Sequence, residues 1–234
     1  MSSLRVDLAG RVVVVTGAFG ALGSAVASNL RGFGAKVAEV DYAPLPSGKP
    51  PAELVFGGRD LADSKVAATL MAQIVQSAGR LDGLVNIAGG FQFEKLEGGT
   101  LDTWDAMYRM NLRTCVAACS AALPHLLDSG RGRIVNIGAM GAVKAAAGMA
   151  AYAASKAGVA KLTESLADEL KDRGITVNAL LPSILDTPRN RLDMPGSDFD
   201  RWVKPAALGD VIAFLLSDAA DAVTGALIPV AARV

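Results

Sequence analysis

Metal-binding side chains are scarce in this chain, which has one histidine, His125, and two cysteines, Cys115 and Cys119, in 234 residues. A single imidazole excludes a His-based metal site. Two thiols on one face of a predicted helix are too few for a structural zinc centre. Cys115 and Cys119 read as buried thiols of a protein kept in a reducing cytoplasm, and His125, beside Pro124, as a structural residue. An excess of charge is missing too. Lysine plus arginine and aspartate plus glutamate each number 23, so neither a nucleic acid nor a membrane surface is expected as the main partner. Long apolar runs are also absent, Val12–Val15 being far too short to cross a bilayer. Met1–Gly10 carries Arg5 and Asp7 and no apolar stretch, which speaks against a secretory signal. What is present is a hydrophobic fraction of 51% with 20% charged residues, the balance of a soluble folded protein with a sizeable core.

Short β-branched runs alternate with longer alanine-rich helical patterns, the rhythm of βαβ units around a parallel sheet. Strands are predicted at Arg11–Val15, Lys36–Val40, Leu54–Phe56, Gly83–Asn86, Arg133–Ile137, Thr176–Leu180 and Ala226–Val230. Helices are predicted from Ala21 to about Phe33, over Ser64–Ala78, from Asp102 to about Asp128, over Ala150–Asp172 and over Ala207–Leu216. Pro44–Pro51 reads as a proline-rich surface loop, and Ser183–Asp200, charged and without apolar periodicity, as a loop or lid. No repeat or linker divides the chain. Residues 1–234 are therefore expected to form a single doubly wound Rossmann-type α/β domain with a mostly parallel central sheet of about seven strands.

The first strand enters its helix through three glycines, Gly17, Gly20 and Gly23. Glycine permits the tight turn, lets backbone N–H groups approach a pyrophosphate, and allows close helix–strand packing, while the helix N-terminus supplies positive potential. Gly17, Phe19, Gly20, Ala21, Leu22 and Gly23 are thus candidate dinucleotide contacts. Asp41 ends the next strand, where a carboxylate binds adenosine ribose hydroxyls and repels a 2′-phosphate. No basic residue lies in the glycine turn or between Asp41 and Lys49, which favours NAD(H) over NADP(H). Asp60 and Leu61, after the third strand, either reach the adenine edge or cap the next helix.

Tyr152 and Lys156 lie at i and i+4 of a helical stretch, on one face. An ammonium near a phenol favours the phenolate and is expected to lower its pKa toward the range of an acid/base catalyst. The same lysine is placed to hydrogen-bond a nicotinamide ribose.

With these residues in view, the chain resembles the short-chain dehydrogenase/reductase family along nearly its whole length. The matching stretches are Thr16–Gly23, Asn86-Ile-Ala-Gly89, Asn111, Ile134-Val-Asn-Ile137, Tyr152 with Lys156, and Pro182 through Thr187. The resemblance implies that Asn86, Ala88 and Gly89 brace the sheet beside the adenosine ribose. It implies that Asn111 holds a water in a proton relay through Lys156, and that Thr187 and the backbone near Pro182 and Leu185 hold the nicotinamide carboxamide. It also implies a homodimer or homotetramer built on the two long helices.

Two departures from the family pattern stand out. The middle glycine is Gly20, one residue before its usual place at Ala21, and the serine expected thirteen residues before Tyr152 is Ala139. Losing one preorganised hydrogen-bond donor of that kind costs on the order of 10²–10³ in rate. Both departures occur in the quinonoid dihydropteridine reductase branch of the family, which this sequence resembles further at Leu185-Asp-Thr-Pro-Arg-Asn-Arg191, Met194-Pro195 and Asp198-Phe199. Asn111 departs the other way, since that branch lacks the asparagine. The resemblance implies hydride transfer from the nicotinamide to a small conjugated acceptor, with Ala139, Ser183 and Met194 facing it. A generic alcohol, ketone or quinone substrate, with Ser155 or Ser183 replacing the missing hydroxyl, stays open as an alternative. So does a non-catalytic NAD-sensing or scaffold protein, although a pure binder has no need of a tyrosine acid.

Overall fold

The computed structural model describes residues 6–47 and 54–234. Lys49 and the second half of the Pro44–Pro51 loop lie outside the described residues, as does the beginning of Met1–Gly10. Consecutive valines make β1 (Val12–Thr16), buried along its whole length. Branched side chains suit extended backbone, and the pleat sends Val12 and Val14 to one face and Val13 and Val15 to the other. A strand apolar on both faces has to be covered on both. The same holds for β2 (Lys36–Val40), β4 (Gly83–Asn86), β5 (Arg133–Ile137) and β6 (Thr176–Pro182), whereas the edge strands β3 (Val55–Phe56) and β7 (Leu227–Val230) are largely half-buried.

The strands form one seven-stranded sheet in the order β3-β2-β1-β4-β5-β6-β7. Every pairing is parallel, so the expected mostly parallel sheet is parallel throughout. One face is covered by α1 (Ala21–Gly32) and α7 (Pro205–Leu216) through Val26, Leu30, Leu208 and Ile212. The other is covered by α2 (Ser64–Ala78), α4 (Thr114–Ser129) and α5 (Ala150–Leu170) through Leu70, Ile74, Leu126 and Val159. Each such side chain contributes roughly 1.5–3 kcal/mol when fully buried. The order reverses between β1 and β4, which opens a crevice at the carboxyl ends of those strands, where ligands of open α/β sheets bind.

The structure corrects the expected elements in two places that matter for the site. The single helix expected from Asp102 to Asp128 is α3 (Leu101–Met107) and α4 joined by a π turn at Tyr108–Arg113. The expected loop Ser183–Asp200 contains α6 (Pro188–Asp193) and a 3₁₀ turn at Phe199–Arg201. Thr187 caps α6 by accepting from Asn190 N at 3.2 Å, and Pro188 starts it with a φ already suited to a helix. Elsewhere the shifts are of one or two residues, as where β6 continues to Pro182. Among the described residues no helix is long and apolar enough to cross a membrane.

Candidate active site

The three glycines of the β1–α1 turn do different work. Gly17 has a φ of +66°, and a Cβ there would meet Ala88 Cα at 2.9 Å. A Cβ on Gly23 would lie 2.0 Å from Gly17 O. Both are therefore required by the packing of the turn itself. Gly20 is exposed at the N-terminus of α1, and a Cβ there would make only ordinary contact, 3.4 Å from Gly17 O. No side chain caps this helix, whose first residues are Ala21 and Leu22. A bare, uncapped N-terminus with room over Gly20 fits the pyrophosphate of a dinucleotide.

Asp41 sits against that turn. Its carboxylate accepts from Phe19 N at 2.8 Å and from Ala43 N at 2.9 Å, which fixes it at the end of β2 beside the crevice. Across the switch point, Thr16 Oγ1 accepts from both Ile87 N and Ala88 N at 3.1 Å, tying β1 to the exit of β4. Asn86 Nδ2 donates to Asn136 Oδ1 at 2.9 Å, joining β4 to β5 as bracing requires. Asp60 accepts from Ala62 N at 3.0 Å and pairs with Arg109 at 2.5 Å, while the cap of α2 is Asp63. The capping alternative for Asp60 is thereby corrected. The Leu61 side chain is buried.

Deeper in the crevice, the π turn carries Asn111 inward. Its Oδ1 accepts from Gly90 N at 2.9 Å, and its Nδ2 donates to Gly90 O at 3.1 Å and to Ser155 Oγ at 3.0 Å. A Cβ on Gly89 would lie 2.5 Å from Asn111 Oδ1 and 3.3 Å from Lys156 Nζ, so the glycine lets these two groups converge. Lys156 is buried, and its Nζ donates to Ile137 O at 2.7 Å. Burial lowers this ammonium from 10.5 to about 8. The Tyr152 ring meets the Phe91 ring edge-on, centroids 5.0 Å apart. Burial pushes the Tyr152 phenol up to about 12, opposite to the lowering expected from its spacing to Lys156. Desolvation is the cause of that rise, and the ammonium is engaged with the Ile137 carbonyl.

The two serines that the sequence offers in place of a hydroxyl at Ala139 both donate to backbone carbonyls. Ala139 is buried at the end of β5. Ser155 donates to Tyr152 O at 2.7 Å and accepts from Asn111, so its one hydroxyl hydrogen is committed within the helix layer. Ser183 donates to Ala231 O at 2.8 Å, toward the C-terminal segment. Thr187 keeps its hydroxyl hydrogen while capping α6, Leu185 O accepts from Asn190 Nδ2 at 2.8 Å, and Met194 is half-buried just beyond α6. Sequence reasoning missed the bracing hydroxyl of Thr16, the Asn111–Gly90 pairing and the exposed ring of Phe91. Two aromatics in the short stretch Phe91–Phe93, in a chain with only 5% aromatic residues, were the available signal for the last. Both cysteines are buried free thiols, and among the described residues no cluster of three His, Cys, Asp or Glu side chains is placed to hold a metal.

Set against known proteins, residues 11–195 match the family described as short chain dehydrogenase. The 2-(S)-hydroxypropyl-CoM dehydrogenase 3 of Xanthobacter autotrophicus is 32% identical over 240 residues, covering 94% of each chain. D-threitol dehydrogenase of Mycolicibacterium smegmatis is 32% identical over 94% of this chain and 90% of its own. Among solved structures, carveol dehydrogenase from Mycobacterium avium in complex with NAD superposes with a TM-score of 0.86 at 27% identity, over 97% of this chain and 98% of that one.

Proposed function

This chain belongs to the short-chain dehydrogenase/reductase family and is an NAD(P)-dependent oxidoreductase, and from that premise we propose that it reduces a small conjugated acceptor of the quinonoid dihydropterin kind. The observation that carries the reading is Ala139. Ala139, thirteen residues before Tyr152, has no hydroxyl, and the hydroxyl hydrogens of Ser155 and Ser183 are committed to Tyr152 O and Ala231 O. An acceptor whose conjugated system is already polarised, and which takes its proton at nitrogen, has no oxyanion for such a hydroxyl to hold.

Bound NADH supplies the hydride. In this reading Gly17 through Gly23 seat the pyrophosphate at the N-terminus of α1, and Asp41 takes the adenosine ribose, which favours NAD(H) over NADP(H). Asp60 and Leu61 flank the adenine, while Asn86, Ala88 and Gly89 brace the sheet beside the adenosine ribose. Pro182, Leu185 and Thr187 take the carboxamide, and Ser183 acts only through its bond to the C-terminal segment. Tyr152, protonated well above neutral pH, gives the proton that balances the hydride. Lys156 and Asn111 organise that proton's path, with Met194 bordering the acceptor. An apolar groove between α4 and α5, lined by Val116, Leu123, Leu162 and Leu166, supports assembly as a homodimer or homotetramer.

The test is turnover of NADH with quinonoid dihydropterin beside a panel of ketones, secondary alcohols and quinones. The reading expects the conjugated acceptors to dominate by kcat/KM, and turnover confined to simple ketones or alcohols would overturn it. That outcome would support a second reading, a generic alcohol or ketone dehydrogenase, which the names of the relatives favour: hydroxypropyl-CoM and D-threitol dehydrogenases.

A further inference from the structure

The segment from Ser183 to Lys204 lacks the apolar periodicity that would hold it by a core, yet it is ordered by polar contacts that meet at one residue. Its two ends are paired, Asp186 N donating to Val203 O and Val203 N to Ile184 O, both at 2.9 Å. Between them, the Asp186 carboxylate accepts from Arg191 Nε at 2.5 Å and Nη2 at 2.9 Å, and from Lys204 Nζ at 2.7 Å. The Arg191 guanidinium lies 4.7 Å from the centroid of the Phe199 ring, which packs on buried Trp202 with centroids 4.8 Å apart. Lys204 Nζ also donates to Phe199 O at 3.1 Å. Three parts of the segment thus converge on one carboxylate: the strand exit, α6 and the return to α7.

The partners differ in exposure. The Asp186 side chain is 9% exposed, whereas those of Arg191 and Lys204 are 48% and 46% exposed. Charge-assisted bonds from a forked guanidinium and an ammonium to a nearly buried carboxylate are strong and directional. They hold the Asp186 carboxyl well below the usual carboxylate range. The residue lies between Leu185 and Thr187, the two positions assigned to the carboxamide in the proposed function.

We propose that Asp186 is a positioning residue that latches the segment over the crevice, setting Leu185 and Thr187 against the nicotinamide half of the cofactor before any ligand arrives. The inference rests on the cofactor reading above. It is specific to the nicotinamide half, because the adenosine half is seated on the glycine turn and Asp41, at the other end of the crevice.

ADP-ribose, which lacks the nicotinamide, separates the two. In Asp186→Asn, NADH affinity by fluorescence titration is expected to fall about tenfold or more, the scale of losing charge-assisted hydrogen bonds. ADP-ribose affinity is expected to stay at the wild-type value. Trypsin is expected to cut the variant faster at Arg189, Arg191 and Arg201, and NADH to protect it less. An Asp186→Asn protein with wild-type NADH affinity and wild-type trypsin resistance overturns the latch. A wild-type protein that binds neither NADH nor ADP-ribose overturns the cofactor reading instead. Should Asp186→Asn fail to fold, shown by loss of ADP-ribose binding, Lys204→Gln takes its place. That variant keeps the Asp186–Arg191 pair and is expected to show a smaller, nicotinamide-selective loss, and equal weakening of both ligands would overturn the proposal.

Discussion

The two ends of the sheet are built from the same parallel strands and treat charge in opposite ways. Where the strands begin, ions are paired. Arg11 and Arg133, their side chains each 3% exposed, reach Asp218 and Asp221 in the turn after α7. Asp82, fully buried ahead of β4, accepts from Val12 N at 2.9 Å and from Arg80 Nε at 2.8 Å, with Arg131 3.7 Å away. Where the strands finish, the buried Lys156 ammonium has a carbonyl for a partner and, among the described residues, no carboxylate, and a helix N-terminus has no side-chain cap. At the strand starts the buried cations are answered by carboxylates, while Arg11 Nη1, Arg133 Nε and Thr176 Oγ1 have no hydrogen-bond partner among the described residues. The contrast, a buried ammonium held by a carbonyl beside an uncapped helix N-terminus, marks the carboxyl ends of the strands as the candidate ligand site.

The comparison is broken most strongly by Tyr152→Phe. Removing the proposed acid at the carboxyl end is expected to lower kcat by about 10²–10⁴ with the thermal midpoint and NADH affinity retained, as measured by steady-state kinetics and calorimetry. Asp82→Ala is the converse at the paired end. Leaving Val12 N without its buried acceptor, and Arg80 and Arg131 without their carboxylate, is expected to remove about 1–3 kcal/mol of stability in urea titration, with kcat per folded molecule unchanged. A matching fall in kcat would show that the two ends are not independent. Effects of that size or smaller separate the glycines. Gly23→Ala forces a Cβ into Gly17 O and is expected to destabilise by about 1–3 kcal/mol. Gly20→Ala is expected to leave stability alone and weaken NADH binding, measured by titration. The mildest test is pH. Burial takes Lys156 from 10.5 to about 8, so between those values the unfolded chain binds a proton that the folded chain does not, and stability rises with pH. For Tyr152 the order reverses: its phenol is raised from 10.0 to about 12, so stability is lost as pH climbs above 10. In midpoints measured across this range, Lys156→Met is expected to lack the rise and Tyr152→Phe the fall.

What could be read from the sequence follows from how each feature is held in place. The buried strands announce themselves through runs such as Val12–Val15, and the glycine turn through spacing, because both are enforced by local sterics. The grouping of Asn86, Asn111, Tyr152 and Lys156 as site residues followed from resemblance, and the structure gives Asn86, Asn111 and Lys156 partners at Asn136, Gly90 and Ile137. The π turn was not legible, since apolar periodicity does not distinguish an i+5 bond from an i+4 bond over a single turn. The order in Ser183–Lys204 is not legible because ion pairs such as Asp186–Arg191 and Asp186–Lys204 leave no apolar periodicity, although Thr187-Pro188 is a readable helix start. The Tyr152 phenol was misjudged because spacing reports its neighbour and not its loss of water.

The wide turn at Tyr108–Arg113 gives the helical stretch around it a phase it cannot shed. Each residue advances an α-helix by about 100°, so a one-residue deletion there would restore regular winding and rotate everything on one side of it by that angle. Either Asn111 would swing away from Gly90, or the buried face of α4 would leave the sheet. The reading frame of this helix is therefore part of the site, and length variation among functional relatives should fall in the loops flanking Leu101 and Ser129 and spare the span between them.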